Sequence, residues 1–374
     1  MVKIPETGEP TTTGAVDKFL EDEARKSDAP FRGHLGASSI GRECERELWY
    51  SFRGATRVEH PGRILRLFGR GHREEPSLVQ YLRNIGVVVH DVDPRSGDQF
   101  RYSTHGGHFG GSMDGAAKGL VESPRVWCVL EFKTSNDKSF KQLKKNGVEK
   151  SKPEHFAQMQ VYMGFSGMRR AYYLTVNKND DSLYSEFVEY KEGVDAEMIE
   201  KARRIISSAN PPAKLSEDPS WWKCRFCDHS TVCHSTETLP TLTCRTCLHA
   251  TPETEHGDDS IWSCKLHKVD SLTFSQQVDG CIGHRFIPSV VDFASPVDAD
   301  EDKNFVEYEL RDGGERFRNG DLENGGFSSS DMKRHGSSII EHRDEIGAAL
   351  RRAFDARPDG ERASMSKFSK EGEE

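Results

Sequence analysis

Between Gly111 and Lys133 an acidic turn, Ser112-Met113-Asp114-Gly115, precedes an apolar run that ends in Leu130-Glu131-Phe132-Lys133. A carboxylate at one strand end, followed on the next strand by a carboxylate and a lysine two residues apart, suits magnesium-assisted cleavage of phosphodiesters. Side chains alternate faces along a strand, so Glu131 and Lys133 share one face and Phe132 takes the other. Magnesium takes hard oxygen ligands and keeps several of its waters. Asp114 and Glu131 are therefore the candidate carboxylate ligands, the Phe132 carbonyl is a third oxygen, and Lys133 holds or activates the attacking water. A solvated Glu-x-Lys pair at a strand edge is the plainer alternative.

Downstream, Ser151-Lys152-Pro153-Glu154 has the form of a helix start, with proline in the first turn and an acidic residue near the positive end of the dipole. The run that follows places Gln158 and Tyr162 four residues apart on one helix face. An amide and a hydroxyl there suit gripping a phosphate or ordering the lysine. Ordinary half-buried polar positions on an amphipathic helix would look the same.

Nine cysteines form two groups and one singleton. The N-terminus is polar and acidic, without the apolar core of a signal peptide, so a reducing cytoplasmic setting is expected and clustered cysteines read as metal ligands. Cys224, Cys227 and Cys233 follow C-x2-C-x5-C spacing, and Cys44 lies far upstream. Four such thiolates suit an iron-sulfur cluster or tetrahedral zinc, and His234 keeps a mixed site open. Cys244, Cys247, Cys264 and Cys281 follow C-x2-C-x16-C-x16-C spacing, which suits a structural zinc site or a second iron cluster; His267 or His284 could replace a thiolate. Cys128, on an apolar strand, reads as a small buried hydrophobe.

The order of acidic turn, Glu-x-Lys strand and Gln-x-x-x-Tyr helix resembles the RecB-type branch of the PD-(D/E)XK nuclease superfamily, over about residues 30 to 235. The resemblance implies an α/β, restriction-endonuclease-like mixed sheet flanked by helices. It also implies an upstream helix with a Gly-x-x-x-His-like element, here within Phe68 to Glu75, which makes His72 a further metal ligand with Glu74 or Glu75 as the acidic substitute. One early cysteine and three late ones resemble the iron staple of AddB-like nucleases, in which Cys44, Cys224, Cys227 and Cys233 would hold a 4Fe-4S cluster. The implied activity is a magnesium- or manganese-dependent DNA exonuclease of phage or mobile-element recombination. Its partners would be DNA and a single-strand-binding or recombination protein. Two alternatives stand beside it: a CRISPR-adaptation-like nuclease that trims DNA ends within a complex, and a non-catalytic DNA-binding module of the same fold.

The elements that must position these residues follow from periodicity and breakers. Helices are expected over residues 15–26, 39–52, 63–84 (interrupted near Gly71 and Pro76) and 196–208, and strands over 87–92, 109–118, 126–134, 171–177 and 183–190. The chain divides into an N-terminal segment (1–30), the nuclease domain (31–238), a small Cys-rich, zinc-binding-like appendage (239–288) and an acidic, largely disordered tail (289–374) with a short helix over 339–354. The formal net charge of −9 sits in that tail: Asp292 to Glu374 carries 21 acidic and 13 basic residues, which leaves about −1 for the rest. Within the rest, Arg63, Arg66, Arg70 and Arg73 recur at helical spacing, and Lys138, Lys141, Lys144, Lys145, Lys150 and Lys152 crowd the segment after Lys133. Either set could track a phosphate backbone or be a solvated face. No run approaches the ~20 apolar residues of a membrane helix, so no membrane partner is expected, and no phosphate-binding P-loop motif occurs.

Overall fold

The computed structural model describes residues 11–27, 31–255, 257–321, 325–343 and 345–346. It has a mixed α/β architecture in two compact units, one of residues up to 235 with 240–290, the other of residues 236–239 with those from 291 onward. The first unit begins with α1 (Thr12–Ser27), β1 (Leu35–Gly36), α2 (Glu45–Arg53), α3 (Gly62–Asn84), β2 (Val88–His90), β3 (Arg101–Thr104) and β4 (Phe109–Ser112). It continues through β5 (Gly115–Lys118), β6 (Cys128–Ser135), α4 (Asp137–Ser151), α5 (Pro153–Ser166), β7 (Arg170–Asn177), β8 (Leu183–Glu189) and α6 (Val194–Ser207).

The central sheet has the order β2-β5-β6-β7-β8. Only β6 and β7 run parallel within it. A parallel pair cannot be closed by a tight turn and needs a crossover, which α4 and α5 supply. Asn136 caps α4, accepting from the Ser139 amide at 2.8 Å, and Gly147, at φ 73°, breaks the helical path before Pro153 opens α5. The lysine run after Lys133 is thus a helix.

Alternation along β6 and β7 separates two faces. Leu130, Phe132, Tyr172, Leu174 and Val176 join Leu78, Val79 and Leu82 of α3 in one apolar layer. That burial explains why α3 runs unbroken through Gly71 and Pro76, where an interruption was expected: several apolar side chains at about 1.5–3 kcal/mol each outweigh one lost helical hydrogen bond. Cys128 lies fully buried in the same layer.

The stretch expected as one strand over 109–118 is two. It breaks at Met113-Asp114, so that β4 pairs with β1 and β3 in a separate three-stranded sheet while β5 joins the central one. Gly115, at φ 154°, makes the switch; a Cβ there would lie 2.7 Å from the His90 carbonyl.

Two expected domain assignments change. Residues 240–290 form no separate appendage but pack into the same compact unit as the central sheet. The hairpin of β9 (Ala250–Pro252) and β10 (Trp262–Cys264) lies against the turn before β4, where Ser260 donates to the Gly106 carbonyl at 2.9 Å and Trp262 is fully buried. Arg245 is 1% exposed and donates to the carbonyls of Arg32, Gly33 and Phe52. The tail, expected to be largely disordered from residue 289, instead builds β11 (Ala294–Asp300), β12 (Phe305–Leu310) and β13 (Arg316–Asn319) into an antiparallel sheet. A short helix (Ser329–His335) follows in that second unit. Few apolar residues serve it, but they are large and meet: Tyr308 and Phe317 stack at 5.4 Å. The expected helix over 339–354 falls mostly outside the described residues.

In the first unit β4 passes so close to α5 that a Cβ on Gly111 would sit 2.6 Å from the Tyr162 hydroxyl. Gly111→Ala should therefore cost about 1–3 kcal/mol in urea denaturation, and Tyr162→Phe in the same background should recover part of that loss by removing the obstructing oxygen. Purely additive losses would show that the two do not meet.

Candidate active site

At the break between β4 and β5, Asp114 faces β6 and its Oδ2 accepts from the Phe132 amide at 2.7 Å. On a strand a residue's N–H and C=O leave on the same side, so the Phe132 carbonyl also faces Asp114. Glu131 and Lys133 share the opposite face from Phe132, as their spacing predicted, and form an ion pair through Glu131 Oε1. Glu131 is fully buried, while the Lys133 side chain keeps about a quarter of its surface. Glu131 Oε2 is buried without a hydrogen-bond partner.

Burial raises the carboxyl of Glu131 to about 7, against the opposing pull of Lys133. Asp114 is raised by burial as well, with Lys133 and the Phe132 amide working against the shift. For Lys133, burial favours loss of the proton, but Glu131 and Asp114 outweigh it and the net shift is upward. Three acids thus crowd one ammonium, because the third is Glu75 of α3. Its carboxyl is raised by burial and then by Asp114. Of the acidic residues named on that helix, Glu75 is the one coupled to Asp114, Lys133 and Glu131. His72, expected as a metal ligand, is exposed one turn earlier, where it acts on Glu75.

Gln158 and Tyr162 lie on one face of α5, as expected. Tyr162 is 2% exposed and its hydroxyl donates to the Ser112 carbonyl at 2.8 Å, which fixes the strand end leading into Asp114. Gln158 lies one turn before Tyr162, and its Oε1 is buried without a partner.

The structure gathers each cysteine group. Cys44 caps α2, accepting from the Glu47 amide at 3.4 Å. It lines a cavity of about 320 Å³ with Cys224, Cys227 and Cys233. His229 secures that loop to α2, with its Nε2 2.8 Å from the Ser51 hydroxyl. Burial pushes the Cys227 thiol up to about 12, and Cys44 and Cys233 add to the shift. Cys244 is likewise pushed up to about 12 by burial, then by Cys247, Cys281 and Cys264. His267 Nε2 stands 3.3 Å from Cys281 Sγ, whereas His284 turns to the Thr246 hydroxyl. Among the described residues no three His, Cys, Asp or Glu side chains are already closed around a common metal position. At the carboxylates the reason is visible: Glu131 Oε1 is turned to Lys133.

The spacing of two basic sets allows either a track for a phosphate backbone or a solvated face. On α3, Arg66 pairs with Asp17, and Arg70 donates to the Lys178 carbonyl and approaches Asp181. On α4, Lys138, Lys141, Lys144 and Lys145 are all exposed on a helix that begins directly after β6. Among the described residues no helix is long and apolar enough to cross a membrane.

Neither a protein-family model nor a curated protein matches the chain. Among solved structures, an alkaline exonuclease (LHK-Exo) from Laribacter hongkongensis is 20% identical over 46% of this chain and 86% of its own, with a TM-score of 0.35. Its complex with dAMP aligns over the same shares at a TM-score of 0.34. SSO0001 is 16% identical over 60% of this chain and 98% of its own, with a TM-score of 0.37.

The three raised carboxyls give the site a pH signature. The unfolded chain releases these protons near 4.5 for glutamate, and the folded, metal-free protein holds that of Glu131 to about 7. The folded state binds more protons in this window, so stability falls as pH rises through it. Thermal melting of chelator-treated protein should show a falling Tm between about pH 5 and pH 8, flattened in Glu131→Gln. An equally steep fall in that variant would contradict the assignment.

Proposed function

We propose that this chain is a divalent-metal-dependent DNA nuclease, acting as an exonuclease in phage or mobile-element recombination. The observation that carries the reading is the unpartnered, buried Glu131 Oε2 among three acids and one lysine. When ionised, Asp114, Glu131, Glu75 and Lys133 sum to two negative charges, the complement of one divalent cation. The exonuclease assignment and its setting rest on the resemblance of the motifs.

Asp114, Glu131, the Phe132 carbonyl and Glu75 would hold magnesium or manganese, with Glu131 turning from Lys133 to do so. The bound ion supplies charge neutralisation at the scissile phosphate and a more acidic water. Lys133, released from Glu131, donates to the attacking water or to a non-bridging phosphate oxygen, where a positive charge in a low-dielectric site stabilises the developing negative charge. Tyr162, through the Ser112 carbonyl, keeps Asp114 from drifting. The exposed lysines of α4 carry the phosphate backbone past the site.

The thiol-lined cavity supports a 4Fe-4S cluster on Cys44, Cys224, Cys227 and Cys233, joining the start of α2 to the loop after α6. The second group supports a structural zinc on Cys244, Cys247, Cys264 and Cys281. Buried thiols that raise one another are relieved by a cation, which binds them as thiolates.

With magnesium or manganese, the protein should degrade linear DNA and spare closed circles, and Asp114→Ala and Lys133→Ala should each lose at least about 100-fold in rate. Intact substrate under every condition, or unchanged cutting by both variants, would sink the nuclease reading. Anaerobically purified protein should contain iron and sulfide that Cys44→Ser loses, and zinc that Cys247→Ser loses. Zinc alone at both groups would overturn the cluster.

A further inference from the structure

The loop after α6 carries Cys224, Cys227 and Cys233, and one residue among them is bonded to several parts of the cavity they line. His229 is 3% exposed and lines that cavity together with all four cysteines of the group. Its main-chain N–H donates to Cys227 Sγ at 3.4 Å, and its carbonyl accepts from the Cys233 amide at 2.9 Å. The ring reaches α2, where Nε2 lies 2.8 Å from the Ser51 hydroxyl and the ring centroid lies 5.7 Å from that of Tyr50. Cys44 caps the first turn of the same helix. A single residue thus joins the supports of three thiols that lie far apart in the chain.

One atom of this residue is left over. Nδ1 is buried and has no hydrogen-bond partner. A buried ring nitrogen left unbonded is costly, and a phenyl ring would pack beside Tyr50 without that cost. If the Ser51 hydroxyl donates to Nε2, the ring hydrogen sits on Nδ1. A metal-bound thiolate or sulfide carries no hydrogen and can only accept. The other donors around these sulfurs are already main-chain amides, from Glu47 to Cys44 and from His229 to Cys227, each at 3.4 Å. Hydrogen bonds to the sulfurs of such a centre offset its negative charge and help to set its reduction potential.

We propose that His229 is a positioning residue of this cysteine centre: Nε2 clamps the loop to α2, and Nδ1–H donates to a sulfur of the bound group. The inference rests on reading these four cysteines as a 4Fe-4S site, and the place of the ring hydrogen supplies a readout that does not.

Three variants separate the two ring nitrogens. His229→Asn puts an amide N–H near the place of Nδ1, His229→Gln puts one near that of Nε2, and His229→Phe removes both. Redox titration of anaerobically purified protein should give His229→Asn the wild-type potential. In His229→Gln and His229→Phe the reduced-to-oxidised ratio at a fixed poise should fall about tenfold, about 59 mV for one electron. Iron release to a chelator should follow the other nitrogen: about 10-fold faster in His229→Asn, His229→Phe and Ser51→Ala, and near wild type in His229→Gln. A merely structural histidine would shift both readouts together. Equal potentials in all variants overturn the proposal, as does a His229→Asn potential no closer to wild type than that of His229→Phe. If the wild-type protein holds zinc without iron or sulfide, the cluster reading fails by itself. Nitrogen-15 NMR of that zinc protein should then show the His229 hydrogen on Nδ1, and a hydrogen on Nε2 instead would overturn the proposal.

Discussion

Burying Glu131 is the constraint around which the first unit is arranged. A carboxylate with no solvent exposure is strongly disfavoured as an anion unless a cation and hydrogen bonds compensate. Lys133 compensates through one oxygen only, and Asp114 and Glu75 add negative charge nearby. The consequence is a carboxyl held at about 7, with one oxygen still unsatisfied. A centre like this stores affinity for a second positive charge, because the shift that penalises the bare anion becomes binding free energy once a cation is present.

The rest of the unit keeps that centre from relaxing. The parallel β6–β7 pair gives one strand a polar and an apolar face, and the crossover it requires brings α5 back over the polar one. From α5, Tyr162 pins the strand end before Asp114, and His155 bonds to Tyr173 beside Glu131. From the apolar side, α3 is anchored by Leu78, Val79 and Leu82 just beyond Glu75, so the burial that carries the helix through Pro76 also fixes the third acid.

The cysteine groups bear on the same framework from its edges. Cys44 caps α2, and the buried Arg53 at the other end of that helix donates to the Arg245 carbonyl at 3.2 Å. Arg245 lies between Cys244 and Cys247 and reaches back to the segment leading into β1, which pairs with β4. Two buried guanidiniums, both shifted downward by burial, persist there because carbonyls and the Trp262 ring surround them. Both groups of cysteines are therefore wired to one helix. This is why residues 240–290 do not separate from the core.

Much of the architecture was legible in the sequence because local pattern determines local structure. Alternation marked β6, β7 and β8, a proline start marked α5, and the Glu-x-Lys spacing fixed which side chains share a face. The polar alternation of Tyr173, Thr175 and Asn177 on a central strand was a further signal of a buried polar layer, and Asn136 was the unread start signal of α4. What the pattern could not supply was distance between segments. Which of His72, Glu74 and Glu75 faces Asp114 depends on the rotation of α3 set by its apolar contacts, and whether Tyr162 meets a lysine or a carbonyl depends on how closely glycine lets β4 approach. The sequence by itself determined the residue types and the faces they share, since these follow from the 2.0 and 3.6 residue periods of strand and helix. Only packing decided which acids converge, that the Cys-rich segment joins the core and that the tail folds up to its described end, because each of these is settled by contacts between residues far apart in the chain.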